Sequence, residues 1–318
     1  ETGEEWPVFD GLSKDQEEAW TTFGVYTGFA WMPDDQDIVI WNHGKIHKVD
    51  INQINQSTII PFSCIVKNKV ADALRFKQDI NEDEFSPKVI RQATTSPDGS
   101  LLVFNAVGYL WKKELPNGKP VRLTNGSDFE FEPSFSSDGK SLVYITWNDT
   151  STGSIYTIDM TTTNEAPRRI TTDKGIYRTP SFSPDGKMIV FQKEDGNEIM
   201  GVSYTAYPGI YTMNANGSNI TKVSENGSSP KFNHTGDRIY YQAENAMNSY
   251  KLDGSDDRAI FKSTYGSRYT VSPDGKWVAF VDLHQVYIGA FPEIGKTIDM
   301  TADAKSVPVK KVSRDAGI

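Results

Sequence analysis

The sequence predicts an all-β fold, a six-bladed β-propeller whose blades are four-stranded antiparallel sheets. Three observations lead to this prediction. A short motif, S-P-D-G followed by an apolar strand, recurs along the chain. Most copies are separated by roughly 40 to 50 residues, which is the length of one propeller blade. Further segments of strand composition follow each copy, so that every unit offers four strands.

The repeat is clear in four places and degenerate in two others. In "WMPDDQDIVIW" an aspartate fills the glycine slot, and in "FNHTGDRIYYQ" a histidine fills the proline slot. The six slots are Asp35, Gly99, Gly139, Gly186, Gly236 and Gly275. In the motif, proline presets φ, aspartate bonds the backbone that follows it, and glycine accepts positive φ without steric cost. Each copy is therefore interpreted as the tight turn between the first two strands of a blade.

The strand after each turn is a continuous apolar run. The runs read "IVIW", "LLVF", "LVYI", "MIVF", "RIYY" and "WVAF". A strand that is packed on both faces reads in this way, whereas a half-exposed strand alternates. Two more strands follow in each unit, and Asn-Gly pairs at 117–118 and 216–217 mark turns between them.

The repeat also predicts the boundaries of the chain's parts. Residues 1–27 form an N-terminal segment, in which "LSKDQEEAWTTF" predicts a short amphipathic helix because Ser13 and Gln16 have capping-box spacing. The propeller occupies 28–318, with an insertion at 62–90. The predicted blades lie near 28–61, 91–124, 132–171, 178–224, 229–263 and 268–314.

Composition narrows the possible functions. The 318 residues are 37% hydrophobic and 12% aromatic, which allows a sizeable core, and the net charge of -9 argues against a nucleic-acid partner. No apolar run approaches the roughly 18 residues of a membrane span. Cys64 is the only cysteine, so neither a disulfide framework nor a cysteine metal cluster is predicted. Its context, "PFSCIV", predicts a half-buried strand residue.

The S-P-D-G-K strand motif resembles the TolB-type propeller repeat over nearly all of the chain. This resemblance implies the fold and leaves the function open, because propellers of this type occur in proteins with different functions. A narrower likeness rests on "DQEEAWTTFGVYTGFAWMPDDQDIVIWNHGKIHKVD", "VADALRF", "FEFEPSFSSDGKSLVYITW", "PRRITTD" and "AKSVPVKKVSRDAG". These stretches look like large secreted or periplasmic proteins that carry TolB-like blades ahead of an amidohydrolase domain. The likeness implies an extracytoplasmic location. It also implies that this chain is either the propeller portion of a metal-dependent amidohydrolase or a homologue that never had the enzyme.

The chain itself offers little catalytic chemistry. An amidohydrolase site needs an H-x-H pair and further metal ligands, and the four histidines are His43, His47, His234 and His284. None of them forms H-x-H, so the sequence predicts no catalytic residue, no metal ligand and no cofactor in this chain. The repeated aspartates are interpreted as turn residues, since a calcium site needs six to eight converging oxygens.

The most favoured function is therefore a non-catalytic extracytoplasmic binding or scaffold module. Two alternatives stay open: a stand-alone TolB-like module for protein or glycan partners, and a propeller hydrolase such as a lactonase, which the scarcity of converging ligands disfavours. The expected partner is a protein, a peptide, a glycan or an adjoining catalytic domain.

A binding site is predicted at the mouth of the central channel, where the innermost strands begin. The residues four or five positions before each motif are Arg91, Gln92, Glu132, Arg178, Ser229 and Arg268. Three arginines and a glutamate near one axis could hold an anionic or peptide partner. The alternative is a solvated polar funnel with internal salt bridges.

Seven N-x-S/T sequons accompany the repeat. Six candidates for glycosylation are expected at the surface: Asn55, Asn125, Asn148, Asn216, Asn219 and Asn226. Asn233 fills the serine slot of a repeat turn and is expected to be shielded. A glycoprotein would be extracytoplasmic, in agreement with the resemblance.

Overall fold

The structure is a computed structural model, which describes residues 6–12, 28–70, 83–162, 166–195, 207–292 and 295–314. The chain divides into two compact units, Glu1–Ser86 with Gly196–Ser203, and Pro87–Asp195 with Tyr204–Ile318. The helix predicted around Ser13 and Gln16 lies outside the described residues. In the part that is described, no helix is long and apolar enough to cross a bilayer.

The first unit contains one four-stranded antiparallel sheet, blade 1. Its strands are β1 (Phe29–Trp31), β2 (Asp37–Asn42), β3 (Lys45–Asp50) and β4 (Ser57–Ile60). Val49 is fully buried in this unit. Residues 61–70 and 83–90, in the predicted insertion, have no regular structure. The prediction for Cys64 was wrong, because the strand ends before Pro61 and the thiol is exposed.

The second unit contains five sheets, blades 2 to 6. Blade 2 consists of β5 (Arg91–Thr95), β6 (Leu101–Ala106), β7 (Tyr109–Glu114) and β8 (Val121–Arg122). Blade 3 consists of β9 (Phe129–Phe135), β10 (Ser141–Asn148), β11 (Thr152–Asp159) and β12 (Arg168–Arg169). Blade 4 consists of β13 (Ile176–Phe182), β14 (Met188–Glu194), β15 (Gly209–Asn214) and β16 (Thr221–Ser224).

Blade 5 consists of β17 (Ser228–Phe232), β18 (Arg238–Ala243), β19 (Ala246–Lys251) and β20 (Arg258–Lys262). Blade 6 consists of β21 (Gly266–Val271), β22 (Trp277–Asp282), β23 (Gln285–Ala290) and β25 (Val309–Lys311). Each blade is antiparallel and runs in chain order from its first strand. The predicted all-β fold of six four-stranded antiparallel blades is therefore confirmed.

Blade 5 has one strand more than the repeat predicts. The segment between β23 and β25 contains β24 (Ile298–Asp299), which pairs in parallel with β20. Ile298 and Met300 are buried in the core shared by blades 5 and 6, beside Phe291 and Val307. Burial of these four apolar side chains holds the segment across the neighbouring blade.

The apolar runs of blades 2 to 5 are largely buried, as predicted, whereas the prediction was wrong for Trp41 in blade 1 and Trp277 in blade 6, which are 51% and 50% exposed. In β10, Val143 and Ile145 pack in a cluster with blade 4, whereas Leu142 and Tyr144 pack in a cluster with blade 2. Adjacent residues of a strand point to opposite faces, so β10 presents apolar side chains to both blade 2 and blade 4.

The repeat turns have the predicted conformation. All six slots have positive φ, between 58° at Asp35 and 80° at Gly236. In the turn of blade 4, the N–H of Gly186 donates to the Ser183 carbonyl, and the Ser183 hydroxyl donates to Asp185 at 2.6 Å. Ser183 Oγ also accepts the first N–H of β14 at 2.9 Å. The Asp185 carboxylate is therefore used in hydrogen bonds within its own turn.

Candidate functional site

Each first strand of blades 2 to 6 contains a bulge at the predicted channel mouth. The bulge residues have φ between 47° and 53° and are Gln92, Glu132, Thr179, Ser229 and Arg268. Ladder pairing shifts register at the same points. Left-handed backbone is uncommon outside glycine, and a bulge leaves one backbone N–H outside the ladder. In blades 3, 4 and 5 a proline directly follows the bulge residue, at Pro133, Pro180 and Pro230, and proline inside a strand is typical of a bulge.

The freed N–H groups join neighbouring blades. Gln92 Oε1 accepts the N–H of Glu132 at 2.9 Å, and Glu132 Oε2 accepts the N–H of Thr179. In the next blade the N–H of Ser229 is directed to Gln192 Oε1 at 3.4 Å. Two of the predicted site residues, Gln92 and Glu132, thus hold one blade to the next.

Arg178 is neutralised within the protein. Its guanidinium contacts Glu132 Oε1 at 2.8 Å and Glu194 Oε2 at 3.1 Å. Burial disfavours the charged form, but the hydrogen bonds and charges of Glu132 and Glu194 outweigh it and raise the pKa of Arg178. This part of the mouth fits the alternative interpretation, a polar funnel with internal salt bridges.

Arg91 and Arg268 are placed differently. Both side chains are exposed, and within the described residues neither makes an ion pair. Of the charged residues predicted for the site, these two arginines are the ones whose charge can still pair with a partner. The structure therefore separates the predicted site into a structural group, Gln92, Glu132 and Arg178, and two accessible arginines.

The same end of blades 2, 3, 4 and 6 carries exposed apolar side chains, which no sequence pattern predicted. This end holds the beginnings of the first strands and the hairpins between second and third strands. We call the following residues the tip patch: Val107, Phe129, Tyr207, Tyr265 and Leu283. Their exposed fractions run from 48% to 78%.

Three of these tip residues occupy strained backbone. Val107 and Leu283 are first residues of two-residue hairpin loops with φ of 55° and 53°, and Tyr207 has φ of 55°. Asparagine, aspartate or glycine is favoured at such positions, and a β-branched residue there is an outlier. Backbone strain of this kind clusters at functional sites.

An aromatic cluster lies beneath one side of the patch. The Phe129 ring lies 6.0 Å from Tyr109 and 6.5 Å from Phe131, measured between centroids. The guanidinium of Arg122 sits 3.8 Å over Tyr109. A Cβ on Gly108 would lie 2.6 Å from the Phe129 ring, so glycine is needed for this packing. The cluster holds Phe129 in a fixed position.

Glu130 anchors the same region from inside. Its side chain is buried, Oε2 accepts the Leu110 N–H at 2.8 Å, and Oε1 accepts the Thr124 hydroxyl. Its carbonyl oxygen accepts from the side-chain amide of Asn105. Because Glu130 belongs to blade 3 and its partners to blade 2 or to the connection after it, this carboxylate fixes two blades against each other.

The turns at the other end also contact one another between blades. A Cβ on Gly139 would lie 3.3 Å from Pro97, and one on Gly275 would lie 2.5 Å from Nδ1 of His234. Hydrogen bonds from Ser96 and Ser100 lower the pKa of Asp98 to about 2. The turns of adjacent blades are therefore neighbours, and the Asp98 carboxylate is used in hydrogen bonds within its own turn.

The histidines lie in separate surroundings. His43 occupies the β2–β3 hairpin and His284 the β22–β23 hairpin, as predicted. His234 is exposed in the proline slot of its turn. In the described ranges, no three His, Cys, Asp or Glu side chains lie close enough to share a metal ion.

The sequon asparagines differ in exposure. Asn55, Asn125, Asn216, Asn219 and Asn226 are exposed. Asn148 is half-buried, and its Nδ2 donates to Asp128 at 2.9 Å. Asn233 is buried, with Nδ2 bonded to Thr235 and Asp237 at 2.7 Å.

The blades and their repeat turns define the class of this protein as a β-propeller. The chain belongs to the TolB β-propeller domain family, whose model matches residues 110–289. No curated protein sequence matches it.

Two solved structures are similar in fold. A putative TolB from Agrobacterium tumefaciens shares 20% identity and a TM-score of 0.55, over 71% of this chain and 81% of that chain. TolB from Acinetobacter baumannii shares 16% identity and a TM-score of 0.52, over 91% of this chain and 63% of that chain.

Proposed function

We propose that this protein is an extracytoplasmic binding module that docks a protein partner on the tip patch. The observation that supports the proposal most directly is the tip patch itself. Five exposed apolar side chains from blades 2, 3, 4 and 6 lie at one end of the strands. Three of them occupy strained backbone that a polar residue or glycine would fit better.

The composition of the patch favours a protein over a glycan or a small anion. Aromatic side chains surrounded by polar groups are typical of the centres of protein interfaces. Arg91 and Arg268 lie at the same end and are free to pair with acidic side chains of the partner. Of the predicted channel-mouth residues, Arg91 and Arg268 would therefore supply polar contacts in addition to the apolar ones of the tip patch.

The location rests on two separate supports. The resemblance to secreted or periplasmic proteins implies export, and seven sequons occur in the chain. Five of their asparagines are exposed, as export with glycosylation would require.

Photo-crosslinking tests the docking end. A benzoylphenylalanine in place of Tyr265, in the tip patch, is expected to capture a discrete partner from the envelope or secreted fraction of the source organism. The matched control replaces Trp277, which begins β22 at the opposite end and has a similar exposure, 50% against 63%. An excess of unlabelled protein should abolish the specific adduct. Equal capture from both positions, or none from Tyr265, would contradict the proposal.

The sequence resemblance favours one kind of partner, an adjoining amidohydrolase domain. The coding sequence downstream of Ile318 tests this: an H-x-H motif within a barrel pattern would support the association. A stop codon there would favour a module that acts on a separate partner.

A further inference from the structure

A cavity of about 300 Å³ extends along the first strands of blades 3 to 6, from the repeat turns to the bulge residue Ser229. The first strands of these blades and the turns that follow them supply most of its wall. The described wall contains one lysine and no aspartate or glutamate, although the chain has 42 acidic residues. Its volume is at the lower limit of small-molecule sites.

The lysine, Lys231, occupies a position that carries a small hydroxyl in the other blades of the second unit. In the pairing of the first two strands of blade 5, Lys231 lies opposite Tyr240. At the equivalent position of the first strand, the other blades of the second unit have a serine or a threonine. These equivalent residues are Thr94, Ser134, Ser181 and Thr270. Packing of the blades therefore does not require a cation at this position.

Lys231 is solvent-accessible and yet closely surrounded by protein. Burial lowers its pKa, while its surface stays open to water, as expected for a side chain in a cavity wall. Within the described residues its ammonium makes no ion pair and no hydrogen bond. A confined ammonium without a counter-charge attracts an anion, since desolvation strengthens the interaction.

Other donors line the same cavity. Ser181, Ser229 and Thr270 belong to its wall, and in the described part of the chain their hydroxyls make no hydrogen bond. Phe135 and Val271 contribute apolar surface. One ammonium and several hydroxyls can satisfy a carboxylate, and the apolar wall can cover a hydrocarbon or aromatic body.

We propose that this cavity binds a small organic carboxylate with an apolar body, whose carboxylate pairs with Lys231 and the neighbouring hydroxyls. The proposal goes beyond the docking function and does not depend on it, because no tip-patch residue belongs to the cavity wall. The carboxylate could belong to a free small acid or to a peptide terminus, and the size of the cavity favours the small acid.

Titration of the intact chain with 3-phenylpropanoate, followed by calorimetry and ligand-observed NMR, tests the proposal. A Kd of about 1 mM or lower is expected. The amide of the same compound should bind at least roughly tenfold more weakly, because it lacks the charge. No detectable binding of the acid, or equal binding of acid and amide, would overturn the proposal.

Variants locate the site. Lys231→Met keeps the aliphatic stem and should weaken binding roughly tenfold or more, equivalent to about 1.4 kcal/mol, whereas Lys231→Arg should retain it. Lys187→Met is the matched control, since Lys187 is an exposed lysine in the turn of blade 4. Thermal melting of each variant shows that it is folded. Unchanged affinity in Lys231→Met would overturn the assignment.

Two further ligands test the ligand class. Inorganic phosphate should bind more weakly than the acid, and tighter phosphate binding would refute a carboxylate site. A tripeptide ending in phenylalanine is compared as free acid and amide. Tighter binding of the peptide acid than of 3-phenylpropanoate would refute the small-molecule assignment and identify a peptide terminus as the source.

Discussion

Replacement of Glu130 by alanine should destabilise the second unit more than other carboxylate replacements do. The side chain is 2% exposed and joins blade 3 to blade 2. Alanine keeps the backbone bonds of residue 130 but removes both acceptor oxygens. The Leu110 N–H, which is fully buried, and the buried Thr124 hydroxyl then lose their partner.

The magnitude follows from these two losses. A buried polar group left without a partner costs about 1 to 3 kcal/mol, so Glu130→Ala should lower the free energy of unfolding by about 2 to 5 kcal/mol. Glu130→Gln keeps the shape and can accept the Leu110 N–H while its amide donates to Thr124. Its cost should be about 1 kcal/mol, the usual value of one altered hydrogen bond.

Equilibrium unfolding in urea, followed by circular dichroism and tryptophan fluorescence, measures these differences. Glu225→Ala is the control, because Glu225 is 83% exposed and makes only a surface ion pair with Lys222 at 3.3 Å. Its effect should stay below about 1 kcal/mol. If Glu130→Ala cost no more than Glu225→Ala, Glu130 would not be the inter-blade anchor that its contacts indicate.

Three other predictions concern the turns and the glycans. Gly186→Val should cost about 1 to 2 kcal/mol in urea unfolding because φ is +71° with open space around the position, whereas Gly186→Asn should be near neutral. Ser183→Ala should cost about 1 kcal/mol by the same assay, since a strand N–H loses its acceptor. Hydrogen bonding to Ser183 lowers the pKa of Asp185 below 3.8. The stabilisation from this hydrogen bond is therefore present above pH 3.8 and is lost as the pH falls through the lowered pKa. Wild type should lose more stability than Ser183→Ala over this acidic range, and parallel pH curves for the two proteins would refute the linkage. In a eukaryotic secretory host, glycopeptide mass spectrometry should find Asn216 occupied and Asn233 bare, and the reverse would contradict the burial of Asn233.

The sequence by itself determined the blades and their turns. The S-P-D-G motif works locally, because proline, aspartate and glycine each impose their own backbone preference within four residues. Asp35 shows the limit of the motif, since it fills the glycine slot and still adopts positive φ. The continuous apolar runs of blades 2 to 5 identified strands that are buried on both faces, because such burial favours apolar residues at successive positions.

The candidate sites depended on groups that are distant in sequence. The mouth residues could be located by counting back from each turn, but their roles could not. The Glu132 side chain is paired, because the neighbouring blade 4 supplies the bulge N–H of Thr179 and the guanidinium of Arg178 as its partners. The Arg268 side chain is exposed. A following proline marks the bulges at Glu132, Thr179 and Ser229 in the sequence, but it does not show which neighbouring groups the freed N–H groups contact.

The tertiary structure alone decided which side chains remain unsatisfied. In the sequence Lys231 resembles any lysine in a strand. Only the packing of four blades shows that its cavity is lined without an aspartate or a glutamate among the described residues. Val107 and Leu283 look like ordinary apolar residues until the hairpins place them at exposed tips with positive φ. Strand β24 likewise joins blade 5 from the last unit, because the core between blades 5 and 6 buries its apolar neighbours. Local preference fixed the repeating unit, whereas contacts between units fixed the surfaces that can bind a partner or a ligand.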